Sequence, residues 1–220
     1  DLKSTCFIVF GDFFDTLENL QIFFKTVARD NYGTQILLWN MPGQAFTSFD
    51  DSDSTFNNES VSNILHELLQ FLQGSAEFVS FGRPFYLLGF GNGANIASYF
   101  SARFGESKHY TDSLKGLVCF NGFAHVDNQL AAILHSSINV FSCFPSTRPD
   151  LPISYFSRFL FSDGYLKRVD PNLVLNIYTA VANPISLKGR VQICRGALNH
   201  VDLRSDLTNL NVPVVLVQAT

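Results

Sequence analysis

The chain has 220 residues, 46% of them hydrophobic, enough to bury a substantial core in one domain with an insertion, and too apolar for a disordered chain. Its 15 basic residues against 19 acidic ones give a net charge of −4 and no electrostatic footprint for nucleic acid or an anionic membrane, so both partners are set aside. Charged residues make up only 15%, below the roughly 25% usual for soluble domains, which points to surface covered by something outside the chain.

Residues 6–10 form a short apolar run ending at Gly11-Asp12, and residues 17–28 carry apolar side chains at helical spacing: a strand, then a helix. Residues 35–40 read as a second strand, closed by Met41-Pro42-Gly43-Gln44, whose Pro-Gly pair marks a turn. Residues 50–59 are polar, with Asp50, Asp51, Asp53 and Glu59 among Ser and Asn, and read as a solvated loop. Helical periodicity returns over residues 61–78, with His66 read as a helix-surface histidine. Residues 85–88 are a third strand, 92–104 a helix and 114–121 a fourth strand. Strands without alternation, each separated by a helix, predict a parallel α/β sheet buried on both faces.

From about residue 127 to 207 the pattern turns to helical stretches broken by Pro145, Pro149, Pro152, Pro171 and Pro184; residues 212–218 then resume the buried-strand pattern. An all-helical insertion between two strands of a parallel sheet predicts a lid over the carboxyl ends of the strands, where ligands of such sheets bind. The organisation expected is a core over residues 1–126, a helical cap over 127–207 and a return strand over 208–220, with the last strands and helices of the fold missing from this chain.

Cys6, Cys119, Cys143 and Cys194 form no C-x-x-C pair and no metal-ligand spacing, and read as buried free thiols of a reducing compartment. There is no basic segment followed by an apolar one at the start and no apolar run of roughly 18 residues. The expectation is a cytoplasmic protein with no membrane span, no metal and no cofactor. The Asn58-Glu59-Ser60 sequon is short enough to arise by chance and receives little weight.

The most informative segment is residues 86–95, Tyr-Leu-Leu-Gly-Phe-Gly-Asn-Gly-Ala-Asn. It reads as the strand, sharp turn and helix start of a G-x-S-x-G nucleophile elbow, with Gly91 where the nucleophile belongs. Glycine adopts the positive-φ turn at little cost, so the turn is kept while the hydroxyl is lost. Acyl transfer in such a site needs a nucleophile, a histidine base, an acid that orients it and N–H donors for an oxyanion. Gly91 supplies no nucleophile, and no catalytic residue is assigned. The donors are backbone groups and survive side-chain loss, so Gly11, Asp12, Phe13, Gly91 and Asn92 are the candidate binding residues of a vestigial oxyanion pocket. Asp127 is read as a plain loop or lid-hinge aspartate, and His125 and His200 as polar loop residues near the lid boundaries. Ser98 and Ser101 sit inside the helix after the elbow, which does not aim a hydroxyl at the oxyanion site.

Taken together these residues resemble one branch of the α/β-hydrolase superfamily, the N-myc downstream-regulated (NDR) family, whose members lack the catalytic residues. Gly11-Asp12 resembles that family's His-Asp after the first strand, with the histidine replaced. Pro42-Gly43-Gln44 matches its Pro-Gly-Gln turn, and Gly89 to Ala94 is similar to its Gly-x-Gly-x-Gly-Ala elbow. Gly116-Leu117-Val118 with Asn121, Leu160-Phe161-Ser162 with Leu166, and Arg204 with Asp206-Leu207 continue the resemblance in order. The chain departs from the pattern at Gly11, at Asn40 where an aspartate is usual, and by ending before the last elements. The resemblance implies a cytoplasmic adaptor or signalling protein acting through protein partners. A module holding a small apolar ligand under the lid, suggested by the 23 phenylalanines, and an atypical hydrolase are the alternatives.

Overall fold

The computed structural model describes residues 5–31, 33–45, 47, 56–73, 84–157, 162–170, 172 and 185–218. In chain order they form β1 (Thr5–Phe10), α1 (Leu17–Asp30), β2 (Thr34–Leu38), α2 (Asn58–Gln73), β3 (Phe85–Phe90), α3 (Asn92–Phe104) and β4 (Leu114–Phe120). Then come α4 (Asn128–Cys143), α5 (Asp150–Ser157), the single turn α6 (Asp163–Leu166), α7 (Leu187–Leu198), a 3-10 turn at Leu207–Asn209 and β5 (Val214–Val217). Asp50 to Asp53 of the expected acidic loop, residues 74–78 of the second expected helix, Pro171, Pro184, Leu160 and Phe161 lie outside the described residues.

All four strand pairings are parallel, in the order β2-β1-β3-β4-β5. The two strands at the middle carry the core, with Ile8, Phe10, Phe85 and Leu87 buried under Leu65 and Leu69 of α2 and Ile96, Ala97 and Phe100 of α3. On the other face α1 lies alongside β2 and brings Phe24 to within 6.4 Å of the Phe90 ring. The expectation of a sheet buried on both faces is corrected. β3 alternates buried and half-buried residues, β2 is largely half-buried, and all four residues of β5 are exposed; among the described residues β2 and β5 are the edges of the sheet.

Helix boundaries follow local chemistry. The first turn of α1 receives a side-chain cap from a distance: the Asn40 Oδ1 beyond β2 accepts from the Leu17 N–H at 2.8 Å, satisfying one of the donors that a helix start leaves open. Helix α2 begins at Asn58, three residues before the position expected from periodicity, so Asn58 and Glu59 belong to a helix and not to the loop. Asp127 caps α4, its Oδ1 accepting from the Leu130 N–H at 2.8 Å, and Ser186 caps α7 through the Gly189 N–H.

The helices between β4 and β5 make a second core: Leu134, Phe141, Phe156, Ile185, Val191 and Cys194 close around Phe14 from the β1–α1 loop. The buried Arg190 guanidinium lies 4.5 Å from the Phe14 ring and 5.9 Å from that of Phe141, and its Nε donates to the Ile185 carbonyl. Cys6, Cys119 and Cys194 are buried free thiols, whereas Cys143, at the last turn of α4, is exposed, correcting the expectation for that residue.

Among the described residues β5 pairs only with β4, and it presents Val214, Val215, Leu216 and Val217 with no charge among them. An open apolar edge recruits other strands. The 220-residue chain should therefore self-associate with rising concentration, and Leu216→Lys, at a residue 77% exposed, should weaken that association by on the order of tenfold without lowering the melting temperature, as read by sedimentation velocity and thermal unfolding.

Candidate functional site at the elbow

Strand β3 runs out at Phe90, the chain turns at Gly91 with φ 49° and ψ −113°, and α3 starts at Asn92. The turn can form only because of what its glycines lack. A Cβ on Gly93 would collide with the backbone carbonyls of Phe10 and Gly11, so a side chain there would push the first turn of α3 off the end of β1. A Cβ on Gly89 would meet the backbone of Ala94. This close approach brings the Asn92 N–H to the loop that follows β1.

There the Asp12 carboxylate takes both available donors. Its Oδ1 accepts from the Asn92 N–H at 2.8 Å and from the Phe13 N–H at 2.8 Å. The carboxyl group also fills the space in front of Gly91, since a Cβ built on that glycine would lie inside contact distance of all three atoms of the Asp12 carboxyl. The loop is braced from behind: the Asp12 N–H donates to Asp15 Oδ2 at 2.9 Å, and Gln44 of the Pro42-Gly43-Gln44 turn reaches the Phe13 carbonyl through its Nε2 at 3.4 Å. Gly11, Asp12, Phe13, Gly91 and Asn92 thus meet at one place. Gly11 contributes by having no side chain, because a Cβ there would press on that of Asp15.

The side chain of Asn92 faces a second arrangement that the sequence reading missed. His200 is in a loop, as expected, but it is half-buried and bonded at both ring nitrogens. Its Nδ1 accepts from the Asn58 N–H at 2.9 Å, which leaves the proton on Nε2 to donate to Asn92 Oδ1 at 2.7 Å. Asn58 donates to Asn95 Oδ1 at 2.9 Å and to the Val201 carbonyl at 3.0 Å, and accepts from the Val201 N–H at 2.9 Å. Asn95 in turn donates to the Phe123 carbonyl at 2.8 Å. With its side chain fully committed and no surface exposed, Asn58 presents no amide to a glycosylating enzyme in the folded chain. The signal for this network lay in asparagines at 58 and 95 on helix faces that otherwise bury apolar residues, since a polar group there needs a partner.

The remaining candidates do not join the site. Ser98 and Ser101 turn their hydroxyls back onto the carbonyls of their own helix, Ala94 and Ala97, at 2.7 and 2.9 Å. Asp127 is spent on the α4 cap. His66 lies on α2, stacked on Phe104 with ring centroids 4.5 Å apart and 2.9 Å from the Tyr110 hydroxyl. Among the described residues no group of three or more His, Cys, Asp and Glu side chains could hold a metal ion, and no helix is long and apolar enough to cross a membrane. A groove of about 950 Å³ opens elsewhere, at the amino-terminal end of β4, between Tyr99, Arg103, Glu106, Lys115, Asp206 and Asn211. Its lining is as polar as it is apolar, and none of the elbow residues borders it.

No known family's sequence profile matches this chain, and no curated protein does. Solved structures match throughout. An α/β-hydrolase enzyme, MGS-M2, from a Medee basin deep-sea metagenome library is 18% identical, with a TM-score of 0.68 over 98% of this chain and 71% of its own. MenH from S. aureus is 14% identical, with a TM-score of 0.70 over 98% of this chain and 75% of its own. A carboxylesterase of the ammonia-oxidizing thaumarchaeon Nitrososphaera gargenis is 12% identical, with a TM-score of 0.70 over 99% and 73%. The chain has the α/β-hydrolase fold.

Burial gives the site two opposed titrations. Desolvation pushes the Asp12 carboxyl up from 3.8 to about 6, against the pull of its two N–H donors, and with a further push from Asp15. The stabilisation from holding that proton is complete below pH 3.8 and is lost as pH rises through 6. Desolvation pulls His200 down from 6.5 to about 3, so stability from the neutral ring is complete above pH 6.5 and is lost as pH falls through 3. Asp12→Asn keeps an acceptor for both N–H groups and removes one titration. Its stability should match the parent near pH 4 and exceed it by about 2 kcal/mol at pH 7, a figure reduced for the half-buried position of Asp12, in urea denaturation at the two pH values. Asn58→Ala strands the Val201 N–H and carbonyl and should cost about 3 kcal/mol by the same measurement.

Proposed function

We propose that this chain is a non-catalytic α/β-hydrolase-like protein that acts through protein contacts, a cytoplasmic signalling or adaptor protein of the N-myc downstream-regulated type, with residues 127–207 as its cap. One observation carries the reading. The place where a nucleophile's side chain would start is taken by the Asp12 carboxyl, and the same carboxyl accepts from the Phe13 and Asn92 N–H groups that would otherwise face an oxyanion. A serine hydroxyl at that position would have neither room to stand nor a free pair of donors to stabilise its adduct. The hydrolytic activity of the similar structures belongs to those proteins. In this chain Gly91 stands at the turn with the Asp12 carboxyl in front of it.

The departures from the NDR pattern fit the same reading. Asn40, where that family has aspartate, caps α1, and Gly11, where it has histidine, makes room for Asp15. Both positions serve the packing around the β1–α1 loop, and neither offers a titrating group to a reaction.

A fluorophosphonate probe should leave the parent chain unlabelled, and Gly91→Ser should neither label nor turn over p-nitrophenyl esters. Gly91→Ser should also lower stability by about 2 kcal/mol or more, because the new side chain meets both the positive φ and the Asp12 carboxyl. Adding Asp12→Gly to it should return part of that loss, a coupling read from a double-mutant cycle of urea midpoints. Probe labelling of the parent chain would overturn the non-catalytic reading; purification from its source cells without a stoichiometric partner protein would overturn the adaptor half.

A further inference from the structure

Away from the elbow, two of the chain's five histidines meet where α2 passes the segment that joins α3 to β4. The rings of His66, on α2, and His109, in that segment, have centroids 6.0 Å apart at an interplanar angle of 66°. The His66 ring is held on three sides. It lies flat on Phe104, its Nδ1 is 2.9 Å from the Tyr110 hydroxyl, and its Nε2 is 3.0 Å from Gln70 Nε2, one turn further along α2. An amide NH2 group only donates, so Nε2 accepts from it, and the ring proton sits on Nδ1, where it donates to the Tyr110 oxygen. That is the tautomer of a metal-binding histidine: one nitrogen carries a lone pair, and the other donates to a partner that fixes the ring. Tyr110 is buried and packed against Phe85 and Phe100, so this partner is part of the core.

The backbone that carries His109 is fixed as well. The Tyr110 and Thr111 N–H groups donate to the Ser107 carbonyl, and the Leu114 N–H donates to that of Tyr110, while the His109 side chain itself is exposed. Two imidazoles that share a zinc ion at about 2.0–2.1 Å have ring centroids at most ~6.4 Å apart, and roughly 5.2 Å apart at a tetrahedral angle. The observed 6.0 Å falls inside that span, so a small rotation of the exposed His109 ring closes the pair.

We infer that His66 Nε2 and the His109 ring form a binding site for a zinc ion, which ties α2 to the connection between α3 and β4. Two neutral imidazoles select an ion of the zinc type over magnesium or calcium, which take oxygen donors. Among the described residues no third His, Cys, Asp or Glu side chain joins them, so water, and the Gln70 side-chain oxygen once its amide turns over, complete the coordination. Two nitrogen ligands make an open site of micromolar affinity, on which the fold does not depend.

The test is calorimetric titration of ZnCl2 into the full chain carrying Cys143→Ser, which removes the exposed thiol as a competing ligand, with MgCl2 as the control. One micromolar zinc site is expected. His109→Ala in this background should weaken it by about tenfold or more, and His135→Ala, which removes an exposed histidine of α4, should leave it unchanged. In long-range ¹H–¹⁵N spectra the ring nitrogens of His66 and His109 should shift with a single midpoint, and saturating zinc should raise the melting temperature unless His109 is replaced. Equal zinc binding in His109→Ala, a His109 signal that moves without that of His66, or a magnesium response of the same size overturns the inference, as does the lack of any zinc binding up to millimolar concentration. Should His109→Ala fail to fold, the ring spectra of the chain with both histidines decide the matter.

Discussion

The approach of α3 to the end of β1 is the contact on which the rest of this structure depends. The carbonyls of Phe10, the last residue of β1, and of Gly11 just after it lie where a side chain on α3 would begin, and only Gly93 permits it. From that contact follow the reach of the Asn92 N–H to the β1–α1 loop, the seating of Asp12, and the exposure of the Asn92 side chain toward His200. The core of Ile8, Phe10 and Leu87 under α2 and α3 supplies the bulk of the apolar burial, but it does not by itself decide where the helix starts. That decision belongs to a glycine.

Much of this was legible in the sequence, for a physical reason. Uninterrupted apolar runs separated by helical periodicity have few solutions other than a parallel sheet, and a G-x-G-x-G after a strand has few other than a tight strand-to-helix turn. The bounds of α3 and the positive φ of Gly91 were therefore readable, and so was the grouping of Gly11, Asp12 and Phe13 with Gly91 and Asn92. What was not readable was which way the Asp12 side chain faces. Nothing in the spacing distinguishes a carboxylate pointing to solvent from one folded back onto its own loop, because the difference is made by residue 92, eighty positions away.

The polar cluster around His200 was missed for a related reason. A histidine in a segment between helices looks like a surface residue, and its bonds are set by partners on α2 and α3 that no local pattern reveals. The edge strands erred in the other direction: β5 reads as a buried strand because it is apolar throughout, yet its place at the end of the order leaves it bare. Apolar sequence predicts a strand; strand order decides its exposure.

The bonds of Asn58 with His200 and Val201 join positions 142 and 143 residues apart. They therefore set a timetable for biosynthesis. At roughly 5–20 residues per second, a ribosome that has made Asn58 needs on the order of ten seconds or more to deliver its partners. Through that interval the amide group of Asn58 lacks the main-chain partners it will be buried with, and α2 gains its apolar contacts to α3 while its first turn still depends on water. The polar network at the start of α2 is therefore completed only after residue 201 has been made.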